Sequence, residues 1–243
     1  MYQEAINNYL IQHGHEKINL KAVLFDMDGV LFNSMPNHAS SWHKVMERMG
    51  FGLSEEEAYM HEGRTGADTI NIISRRERGC DATDEEIKAI YAAKSEEFNK
   101  CPEAPRMPGA WEVLNKIKDD GLTRMIVTGS GQVSLLDRLN KNFPGIFQKE
   151  LMVTAFDIKF GKPNPDPYLM ALEKGGLKPN EAIVIENAPL GVQAGVAAGI
   201  FTIAVNTGPL PDEVLWDAGA NLLFHSMPEF NENWETVRNT LIG

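Results

Sequence analysis

Apolar residues fall in short runs along this chain, with gaps between them that each have room for a helix. The runs are Ala22–Phe25, Met125–Val127, Leu151–Val153, Ala182–Ile185 and Phe201–Val205. Apolar throughout and bounded by turn residues, they predict strands of a parallel sheet buried on both faces. Between the later runs, Trp111–Asp120, Val133–Lys141, Pro167–Lys174 and Leu190–Ala198 predict helices, with Gly121, Gly175 and Gly199 as their C-caps. Strands alternating with helices predict βαβ units and a doubly wound α/β fold with a Rossmann-like parallel sheet.

The rhythm breaks between Phe25 and Met125. There, Asn37 to Lys100 reads as nearly continuous helix, with Ser54-Glu-Glu-Glu57 and Thr83-Asp-Glu-Glu86 matching the capping-box pattern. Trp42, Val45, Met46 and Met49 recur at helical spacing and predict a packed face. Prolines mark both ends of the block: Pro36 on one side, and Pro102, Pro105 and Pro108 on the other. The expected organisation is an N-terminal helix or arm over residues 1–18 and an α/β core over 19–33 and 107–243. Residues 34–106 would form an all-helical cap, hinged where the chain crosses over.

Composition narrows the classes. The chain has 243 residues and a formal net charge of −11. That charge argues against sequence-independent nucleic-acid binding, and it suits a protein that recruits a cation to hold an anionic substrate. Cys80 and Cys101 form no close-spaced metal or redox motif. Residues 1–20 are polar and carry Glu4, Glu16 and Lys17, unlike a signal peptide. The longest weakly apolar stretch, Ala194–Val205, falls short of the roughly 18 residues a membrane span needs. A soluble, cytoplasmic protein with no nucleic-acid or membrane partner is expected; its oligomeric state is not legible.

The chemistry sits at the ends of the predicted strands. Asp26-Met27-Asp28-Gly29-Val30 closes the first one. Of two carboxylates so placed, one can attack while the other handles a proton or lends its carbonyl to a metal. Thr128-Gly129-Ser130-Gly131 offers hydroxyls and backbone amides at a strand-to-helix turn, an anion site. Lys162 stands alone in the proline-stiffened segment Gly161–Pro167. A fixed ammonium there can neutralise a phosphate and hold down the pKa of a nucleophilic carboxylate. Glu186-Asn187 ends another strand in oxygen donors suited to a hard cation such as Mg²⁺.

The order of these pieces resembles the haloacid dehalogenase superfamily of phosphotransferases, from about Lys21 onward. Asp26–Val30 is similar to its first motif, Thr128 to its second, Lys162 to its third and Glu186-Asn187 to its fourth. The helical insert directly after the first motif resembles the cap of the β-phosphoglucomutase-like branch. That resemblance implies Asp26 as the nucleophile that becomes an aspartyl phosphate and Asp28 as the general acid/base. Thr128, Gly129, Ser130 and Lys162 would bind the transferring phosphoryl, and Asp26, the Asp28 carbonyl and Asn187 would hold Mg²⁺, with Glu186 close by.

Two places depart from the pattern. Sugar-phosphate mutases of this branch carry a Lys and an Arg spaced four apart in the cap loop. The matching stretch here is His61-Glu62-Gly63-Arg64-Thr65-Gly66, which puts Glu62 and Gly66 at those positions. Asn187 stands where the family has Asp, and Glu62 would restore the missing charge on the metal when the cap closes. The stretches 26–38, 61–66 and 185–191 resemble an inorganic pyrophosphatase of the branch. The expected activity is therefore Mg²⁺-dependent hydrolysis of a small phosphorylated substrate, with pyrophosphate first. The alternative is a β-phosphoglucomutase, since His38 matches a cap-hinge position of those enzymes. A non-catalytic phosphometabolite-binding module is third.

Overall fold

The computed structural model describes residues 2–130 and 135–243. Six strands form one parallel sheet: β1 (Ala22–Phe25), β2 (Thr123–Val127), β3 (Met152–Val153), β4 (Ala182–Glu186), β5 (Phe201–Val205) and β6 (Leu222–Phe224). Their spatial order is β3-β2-β1-β4-β5-β6. The order reverses at β1, which places a ligand crevice at the carboxyl ends of β1 and its neighbours. Register sharpens this. Phe25 lies opposite Ile126 on one side and Ile185 on the other, so β2 and β4 each run one residue past the end of β1.

Alternate side chains of β1 supply two cores. Val23 and Phe25 join a large cluster with Val113, Leu114, Phe230 and Trp234, while Ala22 and Leu24 join one with Tyr168, Ala171 and Ala194. Both faces are thus dry, as the uninterrupted apolar runs require. The first face is covered by α1 (Tyr2–His13), α6 (Ala110–Asp119) and α11 (Met227–Ile242), and the second by α8 (Asp166–Gly175) and α9 (Pro189–Ala197). Residues 2–18 thereby acquire a role. Ile6 and Tyr9 bury against the sheet's first face, Tyr9 meeting Phe201 edge-on at 5.4 Å and donating to the Gly199 carbonyl at 2.9 Å.

The break in the strand rhythm holds four helices: α2 (Met35–Arg48), α3 (Glu55–Met60), α4 (Gly66–Arg78) and α5 (Asp84–Lys100). They bury their own cluster around Val45, Met46, Ile70, Ile73 and Ile90. The chain leaves and returns side by side. Asn33 N donates to the Pro105 carbonyl at 2.9 Å, Met107 N donates to the Leu31 carbonyl at 2.8 Å, and Phe32 bridges Arg106. A paired crossing of this kind is a narrow connection about which a helical unit can turn.

Several local expectations need correction. Gly175 is the last residue of α8, and Gly176 takes the left-handed cap at φ 62°. Met49 is exposed, because α2 ends before it and only Trp42, Val45 and Met46 face the helical core. Thr83-Glu86 forms a complete capping box, whereas Ser54 accepts from Glu57 N with no return bond, Glu57 turning instead to His61 and Arg76. β6, α11 and α10 (Asp212–Asp217) were not predicted. Val133, expected to open a helix, lies outside the described residues, and α7 spans Leu135–Asn142. No helix among the described residues is long and apolar enough to cross a membrane.

Candidate functional site

Asp26 is the first residue beyond β1 and is held there by its own amide, which donates to the Ile185 carbonyl at 3.0 Å. Its carboxylate turns toward Lys162. That lysine arrives from the loop after β3 and is buried to 1 % exposure. Its ammonium donates to Asp26 Oδ1 at 2.5 Å, to Glu186 Oε1 at 2.5 Å and to the Val127 carbonyl at 3.0 Å. Three acceptors satisfy three donors. Burial works against the charged ammonium, yet the two carboxylates raise its pKa. On Asp26 burial dominates, pushing the carboxyl up to about 8 against the pull of Lys162. The charges of Glu186 and Asp28 push the same way.

Glu186, the end of β4, is occupied on both oxygens. Oε1 accepts from Lys162 and from Tyr168 Oη at 2.9 Å, and Oε2 accepts from Asn187 N at 3.0 Å and Ala188 N at 3.3 Å. The backbone of α9 closes over this carboxylate at Gly191, where any Cβ would lie 1.8 Å from Oε1.

Asp28 looks the other way, toward the helical unit. Oδ1 accepts from Ser34 Oγ at 2.5 Å and sits 3.4 Å from His38 Nε2. Behind the ring, His38 Nδ1 is 2.7 Å from the ammonium of Lys94, which α5 brings down between Trp42 and Phe98. Burial alone would raise the Asp28 carboxyl. His38, the Ser34 hydroxyl and the Arg138 charge outweigh it and hold the group well below the usual carboxylate range. Gly29 completes the turn at φ 85°, where a Cβ would collide with the Asn187 amide at 2.0 Å.

Thr128 ends β2, its amide donating to the Val153 carbonyl at 2.9 Å and its Oγ1 accepting from Ser130 N at 3.1 Å. This folds the Thr128–Ser130 loop into a tight cup beside Asp26. Gly131 lies outside the described residues.

The remaining wall comes from the helical unit. Glu62, just past the end of α3, accepts from Asn187 Nδ2 on both oxygens, at 3.0 and 3.1 Å. Burial first, then the Asp26 charge, raises its carboxyl well above the ordinary value. The same loop packs against the Thr128–Ser130 loop, since a Cβ on Gly129 would lie 3.2 Å from the Gly63 carbonyl. Between the units is a cavity of about 600 Å³, with Asp26, Asp28, Thr128, Gly129 and Ser130 on its floor and Trp42, Arg64, Tyr91, Lys94 and Phe98 above.

The described candidate residues from the sequence therefore meet at one crevice. Residues the sequence reading missed are Ser34, Lys94 and Tyr168, each a second contact that spacing along the chain does not encode. A polar residue next to the hinge was the only available signal for Ser34.

A metal fits this donor set in one particular way. Among the described residues, no three His, Cys, Asp or Glu side chains converge on one point. A cation would draw on carbonyl and amide oxygens and keep several waters, as Mg²⁺ does. Asn187 Oδ1 is such an oxygen: buried, and without a hydrogen-bond partner. With the amide nitrogen turned to both oxygens of Glu62, Oδ1 is the atom left without a partner.

Residues 23–205 match the family model for haloacid dehalogenase-like hydrolases. The chain belongs to that family. Its place is in the β-phosphoglucomutase-like branch, at the level of a phosphatase- or phosphoglucomutase-type enzyme. A solved structure from Bacteroides vulgatus, provisionally named a β-phosphoglucomutase, is 78% identical with a TM-score of 0.97, covering 100% of this chain and 98% of that one. Hexitol phosphatase A of Escherichia coli is 34% identical over 188 residues, 76% of this chain and 83% of its own length. A phosphorylated carbohydrates phosphatase of Thermotoga maritima is 29% identical, over 83% of this chain and 92% of its own.

Proposed function

We propose that this chain is a Mg²⁺-dependent phosphohydrolase working through phosphorylated Asp26, and that its substrate is inorganic pyrophosphate. One observation carries the choice: the cap carboxylate of Glu62 lies on Asn187, beside Asp26, where a sugar-binding cap would present a cation. We take 34–106 as the cap and 19–33 with 107–243 as the core.

Asp26 Oδ1 is engaged by Lys162, so its other oxygen attacks the phosphorus in line and expels the leaving phosphate. Lys162, the Thr128 hydroxyl and the amides of the 128–130 loop receive the charge of the transferring group. Asp26, the Asp28 carbonyl, Asn187 Oδ1 and Glu62 would hold Mg²⁺, which neutralises phosphoryl charge. Glu186 serves indirectly, fixing Lys162 and the 187–188 amides. Asp28 then deprotonates the water that cleaves the aspartyl phosphate, and its lowered pKa keeps it ionised for that step.

A second reading, a sugar-phosphate phosphatase or β-phosphoglucomutase, is favoured by the cavity. About 600 Å³ walled by Trp42, Tyr91 and Phe98 has room for a sugar, and the relatives named above act on phosphorylated carbohydrates. Phosphate release with Mg²⁺ from pyrophosphate, hexitol phosphates and β-glucose 1-phosphate separates the two. Faster turnover of pyrophosphate is expected. Preferred turnover of a sugar phosphate, or isomerisation of β-glucose 1-phosphate primed with the bisphosphate, would overturn the choice.

A further inference from the structure

Strand β5 also delivers a polar group toward the crevice, in the segment Asn206-Thr207-Gly208-Pro209 that follows Val205. Thr207 is half-buried and donates its hydroxyl to the Gly29 carbonyl at 2.6 Å, across 178 positions of sequence. The segment that carries it is held on both sides. Asn206 N donates to the Phe224 carbonyl at 2.7 Å, and Asn206 Nδ2 donates to the Leu210 carbonyl at 2.9 Å and to Asp212 Oδ1 at 2.6 Å. Opposite these bonds, a Cβ at Gly208 would lie 3.4 Å from the Tyr59 ring of α3. The hydroxyl is thus presented from a fixed frame.

What it holds is the turn that follows Asp26. Two peptide planes meet at Gly29, and a glycine restricts the angle between its planes least of all residues. The first plane carries the Asp28 carbonyl and is held through Gly29 N, which donates to the Phe32 carbonyl at 2.8 Å. The second carries the Gly29 carbonyl, which is buried with its residue and takes its side-chain donor from Thr207. Asn187 rests on the same glycine, since a Cβ there would lie 2.0 Å from Nδ2. A rotation at Gly29 would therefore move the Asp28 carbonyl and press on Asn187, whose Oδ1 is buried and without a partner.

We propose that Thr207 is a positioning residue: its hydroxyl sets the Asp28-Gly29 turn and, through it, the two oxygens that would receive the cation, the Asp28 carbonyl and Asn187 Oδ1. This rests on the reading of those oxygens as metal-facing. Thr207 acts only through the backbone it holds, as groups behind a metal's ligands do. The role needs a donor and not a methyl group, so serine can fill it, whereas valine, of nearly the same shape, leaves the Gly29 carbonyl unpaired.

The test compares Thr207→Val with Thr207→Ser and with a control, Tyr9→Phe. The control removes another hydroxyl bond, to Gly199 at 2.9 Å, at the amino end of β5 and away from the crevice. In the intact chain without substrate, calorimetry measures the Mg²⁺ dissociation constant, and amide exchange over residues 26–33 is followed in chelator. Thr207→Val should raise the dissociation constant about tenfold or more and speed exchange in the turn. Thr207→Ser and Tyr9→Phe should keep both at wild-type values. An unchanged Mg²⁺ constant in the valine variant, or an equal rise in the serine variant or the control, overturns the proposal. Thr207→Ala carries the same expectation and replaces valine should that variant fold poorly. Wild-type protein that bound no Mg²⁺ would sink the metal reading and leave exchange to decide: faster exchange with valine but not serine supports the role of Thr207, and unchanged exchange overturns it.

Discussion

The two walls of the cavity were built under different constraints. The core wall is made of strand ends. Asp26, Thr128 and Glu186 are each fixed by the sheet register, and Lys162 is locked among them by three hydrogen bonds. The cap wall is a loop, His61–Gly66, that reaches the core through two hydrogen bonds from Asn187 to Glu62 and a close seat on Gly129. The lesson is a division of labour. On the proposed reading the core wall would supply chemistry that does not depend on the leaving group, while the cap wall would determine what enters and whether the metal shell is complete.

The hardest blow to the core wall is Asp26→Asn. The amide is nearly isosteric but cannot form the acyl phosphate, so turnover should fall on the order of 10⁴-fold or more with the fold intact. Steady-state phosphate release and circular dichroism check it, and near-normal turnover would remove the covalent mechanism.

Lys162→Ala should cost both rate and stability. From the sequence a larger loss of rate than of stability is expected, and the burial of Lys162 adds a stability cost beside it. Removing an ammonium buried to 1 % exposure leaves Asp26 and Glu186 facing each other without a counter-charge. Breaking such a pair costs about 3–5 kcal/mol in stability. The rate should fall on the order of 10²-fold or more. Denaturant melts with and without Mg²⁺ measure the first effect, and Mg²⁺ should not restore it. Unchanged stability would mean that water reaches the pair.

Glu62→Gln strikes the cap wall. If Glu62 completes the metal shell, pyrophosphate turnover should fall about 10–100-fold and the Mg²⁺ concentration for half-activity should rise. Bulkier monoesters should suffer less. A loss equal for all substrates, with an unchanged Mg²⁺ response, would make Glu62 a structural latch.

The two walls also meet in their protons. Asp26 is pushed up to about 8, and Glu62 is raised too. Between pH ~4, the unfolded carboxylate value, and pH ~8, the metal-free folded chain holds protons that the unfolded chain has released. Its stability therefore falls as pH rises through that window. In chelator, the melting temperature should be lower at pH 8 than at pH 6, and Mg²⁺ should stabilise more at pH 8 while releasing protons near pH 7. A stabilisation by Mg²⁺ that is the same at both pH values would contradict the raised carboxyls.

Most of the core wall was legible because a parallel sheet converts sequence position into space. A run such as Ala22–Phe25 delivers the residue after it to the crevice, whatever lies between the runs. The helical cap was legible as helix but not in its seating. Glu62 could be suspected from its charge, whereas the Lys94–His38–Asp28 chain joins residues from α5, α2 and the β1 turn that no local pattern relates. The strand β6 escaped because Leu222–Phe224 is too short to show a period, and Gly176 rather than Gly175 capped α8 because either glycine could end that helix.

The smallest expected effect separates cap stability from cap function. Thr83 and Ser54 both cap helices of the same unit, Thr83 in a complete box and Ser54 through a single bond to Glu57 N at 3.0 Å. Substituting either by alanine should cost about 1 kcal/mol of helix stability. Only Ser54 starts the helix that leads into Glu62: α3 runs Glu55–Met60 and hands the chain directly to His61-Glu62. Fraying α3 should loosen that carboxylate, so Ser54→Ala should raise the Mg²⁺ requirement by less than about fivefold, a shift of about 1 kcal/mol. Thr83→Ala, at the far end of the cap cluster, should destabilise equally and leave the Mg²⁺ response where it was. Titrating activity against Mg²⁺ for both variants decides the matter. Equal responses would show that the 61–66 loop is held by its seat on Gly129 and not by the helix that precedes it.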